Sequence, residues 1–344
     1  MDTSARIAGM RRLSLGIDVG STTAKTVFLD ADHRIVSSSY LRHDARTVET
    51  LRETLREAMR DVGDASVDVL ITGSAGMGIS ERFDLPFVQE VISSAEVVRQ
   101  LFPQVKTLID IGGEDAKMIF FKDSGVPDIR MNGACAGGTG AFIDEMSDLL
   151  HVPVADLNEL AGESTTLYPI ASRCGVFAKT DLQNLLSRDI DRADIAASVF
   201  HAVVLRTLAT LARGYDSAPP VLFCGGPLTF LPALQQAFTK VLGLDHDGVL
   251  HVENPHLLPA LGAALTGSHA GRTVRLSALI DKLGTRSVHE TATRDRLPPL
   301  FEDQAEFAAW EETRLLHRID RVAIEDLDEG GLFLGIDSGS TTTK

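Results

Sequence analysis

The sequence predicts an α/β protein of two lobes, each built on a mixed sheet flanked by helices. Two segments of one design carry that reading: GIDVGSTTAK from Gly16 and DIGGEDAK from Asp110. Each runs an apolar strand into an aspartate, turns through small residues and leaves on a second strand. A third strand, VLFCGG (Val221–Gly226), ends in a glycine pair ahead of a helix. Between these markers helical and strand periods alternate, the pattern of helices packed on sheets.

In chain order, LSLGID (Leu13–Asp18) and AKTVFLD (Ala24–Asp30) are rich in β-branched and apolar residues and read as strands. A helix follows near 48–62, where apolar residues recur at helical spacing. The strand VDVLITG (Val67–Gly73) ends in the glycine-rich GSAGMG. The second lobe opens with VKTLIDIGGEDAKMIFF (Val105–Phe121), and MNGACAGGTGAFIDEMSDLL leads from glycines into a helix. Ala193–Arg213 is a strongly apolar helix ended by Gly214, and Pro259–Thr266 reads as a closing helix. The expected lobes are 1–100 and 101–266. From 267 to 331 the sequence is charge-rich and broken by LPPLFED and EDLDEGG, a linker with a helix around 303–319.

LSLGIDVGSTTAK at Leu13 recurs as LFLGIDSGSTTTK at Leu332, with ten of thirteen positions identical. A domain does not begin and end within one hairpin. Residues 332–344 are therefore expected to open a second copy of the first domain that continues beyond a truncation.

A net charge of −15 argues against nucleic acid and anionic membranes as main partners, since both call for clustered positive charge. No uninterrupted apolar run reaches the ~18 residues that span a bilayer. Three cysteines, Cys135, Cys174 and Cys224, do not make a disulfide framework, and a cytoplasmic setting is expected.

The paired turns carry the chemistry. Asp18 and Asp110 can hold Mg²⁺ through its water shell. Backbone N–H groups at Gly20, Gly112, Gly113 and Glu114, with the hydroxyls of Ser21, Thr22 and Thr23, can cradle phosphate oxygens. One such turn is weak evidence, because Gly/Ser turns are common in hairpins. Two facing turns would clamp the phosphates of ATP between the lobes. Lys25 is either a phosphate or lobe-bridging charge or an exposed strand-end lysine. There is no Walker A motif. Cys135 precedes a helix and Cys174 adjoins one, positions that favour thiolate. Neither sits in a Cys-x-x-Cys pair. Two thiolates do not complete a four-cysteine site, but two copies of the domain would. Two ordinary packed cysteines remain the alternative.

The order of first turn, second turn and glycine-pair loop resembles the actin-like, sugar-kinase-like (ribonuclease-H-like) ATPase superfamily. That resemblance places Gly225, Gly226 and Pro227 beside adenosine. NGACAGGTGAFIDEMSDLL, with SRCGVFAKTDL 39 residues after its cysteine (174 minus 135), is similar to the activator ATPases of 2-hydroxyacyl-CoA dehydratases. The ATPase subunits of benzoyl-CoA reductases belong to the same group. The resemblance runs from Leu13 to about Leu265. It implies a homodimer in which Cys135 and Cys174 of each copy bind one shared 4Fe–4S cluster, with Cys224 structural. It also implies ATP-driven transfer of an electron onto a dehydratase or reductase; in that reaction Asp18 and Asp110, read from the residues themselves, are the candidate catalytic pair that organises Mg²⁺, one of them also orienting the attacking water. Pairing with the second repeat could replace the homodimer, as in multidomain activase-like proteins. Two positions depart from the family: Glu114 replaces the usual Gln of Gly-Gly-Gln-Asp, and Lys179 replaces the usual Glu of Phe-Ala-Glu. A carboxylate at 114 would repel a γ-phosphate unless Mg²⁺ or Lys117 compensates. Two rivals stand beside this reading, a small-molecule (sugar) kinase on the same fold and a nucleotide-switched scaffold without electron transfer.

Overall fold

The computed structural model describes residues 12–122, 125–132, 137–171, 174–285, 297–319, 322–326, 333–338 and 342–343. β1 (Arg12–Val19) is the middle strand of the first sheet, and seven of its eight residues are buried. Neighbours flank it in plane and helices cover it, so its apolar run is continuous rather than alternating. β2 (Thr23–Leu29) pairs antiparallel with β1, and β3 (Ile35–Arg42) pairs antiparallel with β2. α1 (Thr47–Val62) returns the chain to β4 (Ser66–Thr72), parallel to β1. α2 (Gly76–Phe83) and α3 (Glu90–Leu101) then lead to the second sheet.

The second lobe repeats the plan. β5 (Thr107–Ile111), β6 (Ala116–Phe120) and β7 (Asp128–Met131) form an antiparallel meander. Four helices stand where the first lobe has α1: α4 (Gly140–Leu150), α5 (Val154–Gly162), α6 (Gly175–Ser187) and α7 (Arg192–Leu211). β8 (Val221–Cys224) then pairs parallel with β5. By length and composition α7 could cross a bilayer, yet its Ile195, Val199, Phe200 and Val203 are buried in the lobe's core. After β8 come α8 (Gly226–Phe230), α9 (Pro232–Leu242) and β9 (Val249–Leu250), the last parallel to β8.

α10 (Leu258–Ala270) carries the chain back to the first lobe. There β10 (Arg272–Arg275) pairs antiparallel with β4, and α11 (Leu276–Gly284) packs on α1. The sheet orders are β10-β4-β1-β2-β3 and β9-β8-β5-β6-β7. Apart from the direction of the edge strands β9 and β10, the two are the same, which sets Asp18 and Asp110 at equivalent strand ends.

A third core lies between the sheets. It joins Val27, Leu108 and Leu222 with Val97 of α3 and Leu258 and Ala264 of α10. Two glycines allow the close approach of α10. A Cβ on Gly262 would fall 2.0 Å from the Ser93 carbonyl oxygen, and one on Gly16 would fall 1.9 Å from that of Ala260.

The expected linker at 267–331 needs correction. Its opening stretch belongs to the first lobe as the end of α10, β10 and α11. Leu276, Leu279, Ile280 and Leu283 recur at helical spacing and are buried. Residues 287–344 form a separate unit. It holds α12 (Gln304–Leu315), capped by Asp303 and carrying mutual ring contacts among Phe301, Phe307 and Trp310. Within 332–344, the described residues are exposed and share one isolated bridge, Ser338 to Thr343.

Candidate functional site

Each lobe places an aspartate and a lysine opposite one another across a hairpin. Asp18 pairs in register with Lys25, and Asp110 with Lys117. Gly20 N–H donates to Thr23 O at 3.0 Å and Gly112 N–H to Asp115 O at 2.8 Å, closing the two turns. Glycine is required behind each aspartate. Gly73 has φ +94° and Gly225 has φ +86°. A Cβ there would lie 2.4 Å from Asp18 Oδ1 and 2.5 Å from Asp110 Oδ1. Gly73 belongs to GSAGMG, so this motif is the first lobe's counterpart of the Gly225–Gly226 loop.

The turns meet face to face. A Cβ on Gly113 would fall 2.6 Å from Thr22 Oγ1 and 3.1 Å from Ser21 Oγ. Two hollows adjoin them and share Thr22, Thr23, Lys25, Glu90, Gly112 and Gly113. One extends to Asp110, Gly225, Gly226 and Pro227. The other reaches Gly20, Ser21 and the exposed Glu114. Asp18 is fully buried behind Lys25, whose Nζ lies 2.6 Å from its Oδ2. Tyr40, in ring contact with Phe230 and His256, stands over Gly226, where a Cβ would be 2.6 Å from its hydroxyl.

Glu90, the first residue of α3, was not foreseen. Its Oε1 accepts from Lys117 Nζ at 2.9 Å, and Lys117 also donates to Asp115 Oδ1 at 2.9 Å. In the sequence, DLPFVQEV offers only an acid in a helix's first turn, a common capping feature. Only the fold turns it toward the cleft. Burial pushes the Glu90 carboxyl up to about 7; Lys117 opposes this, and Asp18, Asp110 and Asp115 add to it. Burial likewise raises Asp110 against the pull of Lys117. For Lys25, burial alone would favour the neutral amine, but Asp18, Glu90 and Asp110 outweigh it and hold the ammonium above its usual range. Burial opposes Lys117 in the same way, and Asp110, Glu90 and Asp115 overcome it.

Four carboxylates (Asp18, Glu90, Asp110, Asp115) therefore share two ammonium groups (Lys25, Lys117). Asp18 Oδ1 and Asp110 Oδ2 are buried without a hydrogen-bond partner. That excess of buried anionic oxygen suits a hydrated divalent cation.

The second turn is tied to α4, whose first N–H groups bond to it: Gly140 to Gly112 O at 2.9 Å and Ala141 to Gly113 O at 2.7 Å. Cys174 is the N-cap of α6 and half-buried. Ala178 N–H bonds to its carbonyl oxygen at 2.9 Å. Gly175 abuts Phe142 of α4, and Lys179 pairs with Glu145 of α4 at 2.8 Å. Val176 and Phe177, beside the cysteine, are 71% and 66% exposed. Cys135 lies outside the described residues. Cys224 is buried opposite Asp110 in the sheet, and burial pushes its thiol well up. No three or more His, Cys, Asp or Glu side chains stand close enough to ligate one metal ion directly among the described residues, so a cation at the aspartates would be held through its water shell.

The (R)-2-hydroxyglutaryl-CoA dehydratase activating ATPase of Acidaminococcus fermentans is 34% identical over 215 residues, covering 62% of this chain and 82% of that protein. The activator of lactoyl-CoA dehydratase from Anaerotignum propionicum is 32% identical over 264 residues, 75% of this chain and 98% of that one. Among solved structures, component A of the A. fermentans dehydratase superposes with a TM-score of 0.64 at 31% identity, over 75% of this chain and 98% of that one. The Clostridium difficile 2-hydroxyisocaproyl-CoA dehydratase activator, solved with ADPNP bound, gives 0.61 at 28% identity, over 74% and 94%. The fold is the two-lobed actin-like, sugar-kinase-like ATPase fold. Because the family model also matches residues 15–267, the chain belongs to the BadF/BadG/BcrA/BcrD ATPase family.

Proposed function

We propose that this chain is an ATP-dependent activator that passes a low-potential electron to a CoA-ester dehydratase or reductase through a 4Fe–4S cluster. The observation that carries the reading is the continuous connection from phosphate turn to cysteine. The turn at Gly112–Gly113 accepts the first N–H groups of α4, and α4 meets the helix capped by Cys174 at Phe142 beside Gly175 and through the Glu145–Lys179 pair. The names of the relatives supply the class of partner.

The turn N–H groups and the hydroxyls of Ser21, Thr22 and Thr23 would bind the phosphates. Asp18 and Asp110 would hold hydrated Mg²⁺, which neutralises phosphate charge when bound. Lys25 lies 2.6 Å from Asp18 and fixes its position, and Lys117 pulls against the burial that raises Asp110. Glu90 is the proton acceptor for hydrolysis. As the water oxygen bonds to the γ-phosphorus and ADP leaves, the water's proton passes to the Glu90 carboxylate. A carboxyl held near 7 is matched to that task at neutral pH.

Cys174 fits one ligand position of a shared cluster. It sits at a helix N-terminus, is half-buried, and is bordered by exposed apolar residues. With Cys135, and the same pair from a second copy or a second repeat, the ligand count reaches four. When bound, such a cluster supplies one-electron chemistry. Movement of the phosphate turn would reach Cys174 through α4.

The test is iron and acid-labile sulfide content, with ATP-dependent reduction of a dehydratase component, on anaerobically purified full-length protein. About four irons per pair of copies are expected, with loss in Cys174→Ser. Nucleotide binding without iron in either protein would reject the electron-transfer reading in favour of a nucleotide-switched scaffold.

A further inference from the structure

The two phosphate turns are held from behind in matching ways by unlike parts. Gly20 and Gly112 occupy equivalent places, each two residues past its aspartate and each donating its N–H to the carbonyl oxygen three residues on. The Gly112 carbonyl accepts from the start of α4, the Gly140 N–H, at 2.9 Å. In the first lobe α1 starts only at Thr47, and the Gly20 carbonyl oxygen meets the His43 ring instead, 3.1 Å from Nε2. The His43 backbone N–H also donates to Thr22 O at 3.1 Å, so one residue grips the turn at two points.

His43 is 4% exposed and lines neither hollow. A carbonyl oxygen only accepts, so a ring proton sits on Nε2. Nδ1 is buried without a partner, which leaves the Gly20 bond as the ring's one hydrogen bond. A tight turn sets the ring there. Arg46 N–H donates to His43 O at 2.7 Å, and Asp44 and Ala45 between them have φ of +45° and +62°. Alanine rarely adopts that conformation.

In a planar trans peptide the N–H points away from the C=O. With the Gly20 oxygen drawn back to His43, the Ser21 N–H points forward into the hollow that Gly20 and Ser21 line. That hollow does not include Gly225 or Gly226, so the phosphates farthest from adenosine would rest there. On the nucleotide reading given above, we propose that His43 is the positioning residue of the first phosphate turn: its Nε2–H fixes the Gly20–Ser21 peptide so that the Ser21 N–H meets the outer phosphates. It does in the first lobe what the start of α4 does in the second, and it does not touch the ligand. An N–H bond to a charged phosphate is worth about 10-fold to 100-fold in affinity.

The test is titration calorimetry on the full chain with magnesium AMP-PNP and with AMP, which lacks the outer phosphates. His43→Gln and His43→Asn are compared with wild type. The glutamine amide can put an N–H where Nε2–H stands, and the asparagine amide falls one bond short. His43→Asn should bind AMP-PNP about tenfold or more weakly while keeping AMP affinity, which also reports that the variant is folded. His43→Gln should bind both nucleotides to within about threefold of wild type. A His43→Asn variant that binds AMP-PNP like wild type overturns the proposal. So does one that loses AMP to the same degree, because His43 would then only support the lobe. Equal loss of AMP-PNP in the two variants overturns it as well, since reach to Gly20 would not matter. Failure of wild type to bind either nucleotide is a distinct result, which rejects the nucleotide reading itself and the proposal with it.

Discussion

Replacing Glu90 with Gln should slow the enzyme and change how its stability depends on pH. In the unfolded chain this carboxyl ionises near its ordinary 4.5, and in the fold only near 7. Between those values the unfolded state binds fewer protons than the folded one, so stability falls as pH rises and levels off above 7. At 1.36 kcal/mol per tenfold change in proton affinity, that penalty is roughly 3 kcal/mol. Glu90→Gln removes it, but it also takes a charged partner from Lys117 (2.9 Å away), which offsets some of the gain. Asp110 titrates upward as well. The useful quantity is therefore the difference between wild type and variant in urea unfolding from pH 5 to 8. That difference should move in the variant's favour with rising pH and stop moving above 7. An amide does not accept the water's proton, so ATP turnover should drop by about 10²- to 10⁴-fold. In wild type, kcat/KM should decline below about 7. Turnover within about threefold of wild type would refute the proton-acceptor role. A stability difference that does not change across pH 5–7 would refute the raised ionisation.

Three further outcomes are expected. Gly262→Ala puts a Cβ 2.0 Å from the Ser93 carbonyl oxygen and should destabilise the contact between α3 and α10 by about 2–4 kcal/mol in urea unfolding. Leu279→Ala should lower stability by about 2–5 kcal/mol, because α11 belongs to the first lobe's core; a tail would lose almost nothing. Glu114→Gln, which restores the family residue at the edge of the phosphate hollow, should raise ATP affinity a few-fold at low salt, with the gain shrinking as salt screens the charge.

The site was legible in the sequence where function depends on local backbone geometry. Asp18, Asp110 and the turns after them announce themselves because a strand, an acid and small residues are contiguous. The same holds for the glycine pair after β8. Glu90 was not legible, because its neighbours Lys117, Asp18 and Asp110 come from strands distant in the chain, Lys117 itself 27 residues away, and nothing local distinguishes it from a helix-start acid. Nor was His43, which reaches Gly20 from 23 residues further along the chain. The segment 272–284 was misread for a related reason: its short apolar stripe is buried only because α1, more than two hundred residues earlier in the chain, is there to cover it.

The sequence by itself determined the α/β class, the two aspartate-bearing strand–turn–strand units, the glycine loop and the family resemblance, since each is written in consecutive residues and strand or turn propensity. Tertiary structure alone decided three further things. It superposed the two sheets' strand orders and pressed the turns together. It also gathered four carboxylates around two lysines. Those arrangements depend on burial and on the close approach of α10 at Gly16 and Gly262. Burial above all, and then the neighbouring Asp18, Asp110 and Asp115, lift Glu90 toward 7 against the pull of Lys117, and all of these exist only in the folded chain.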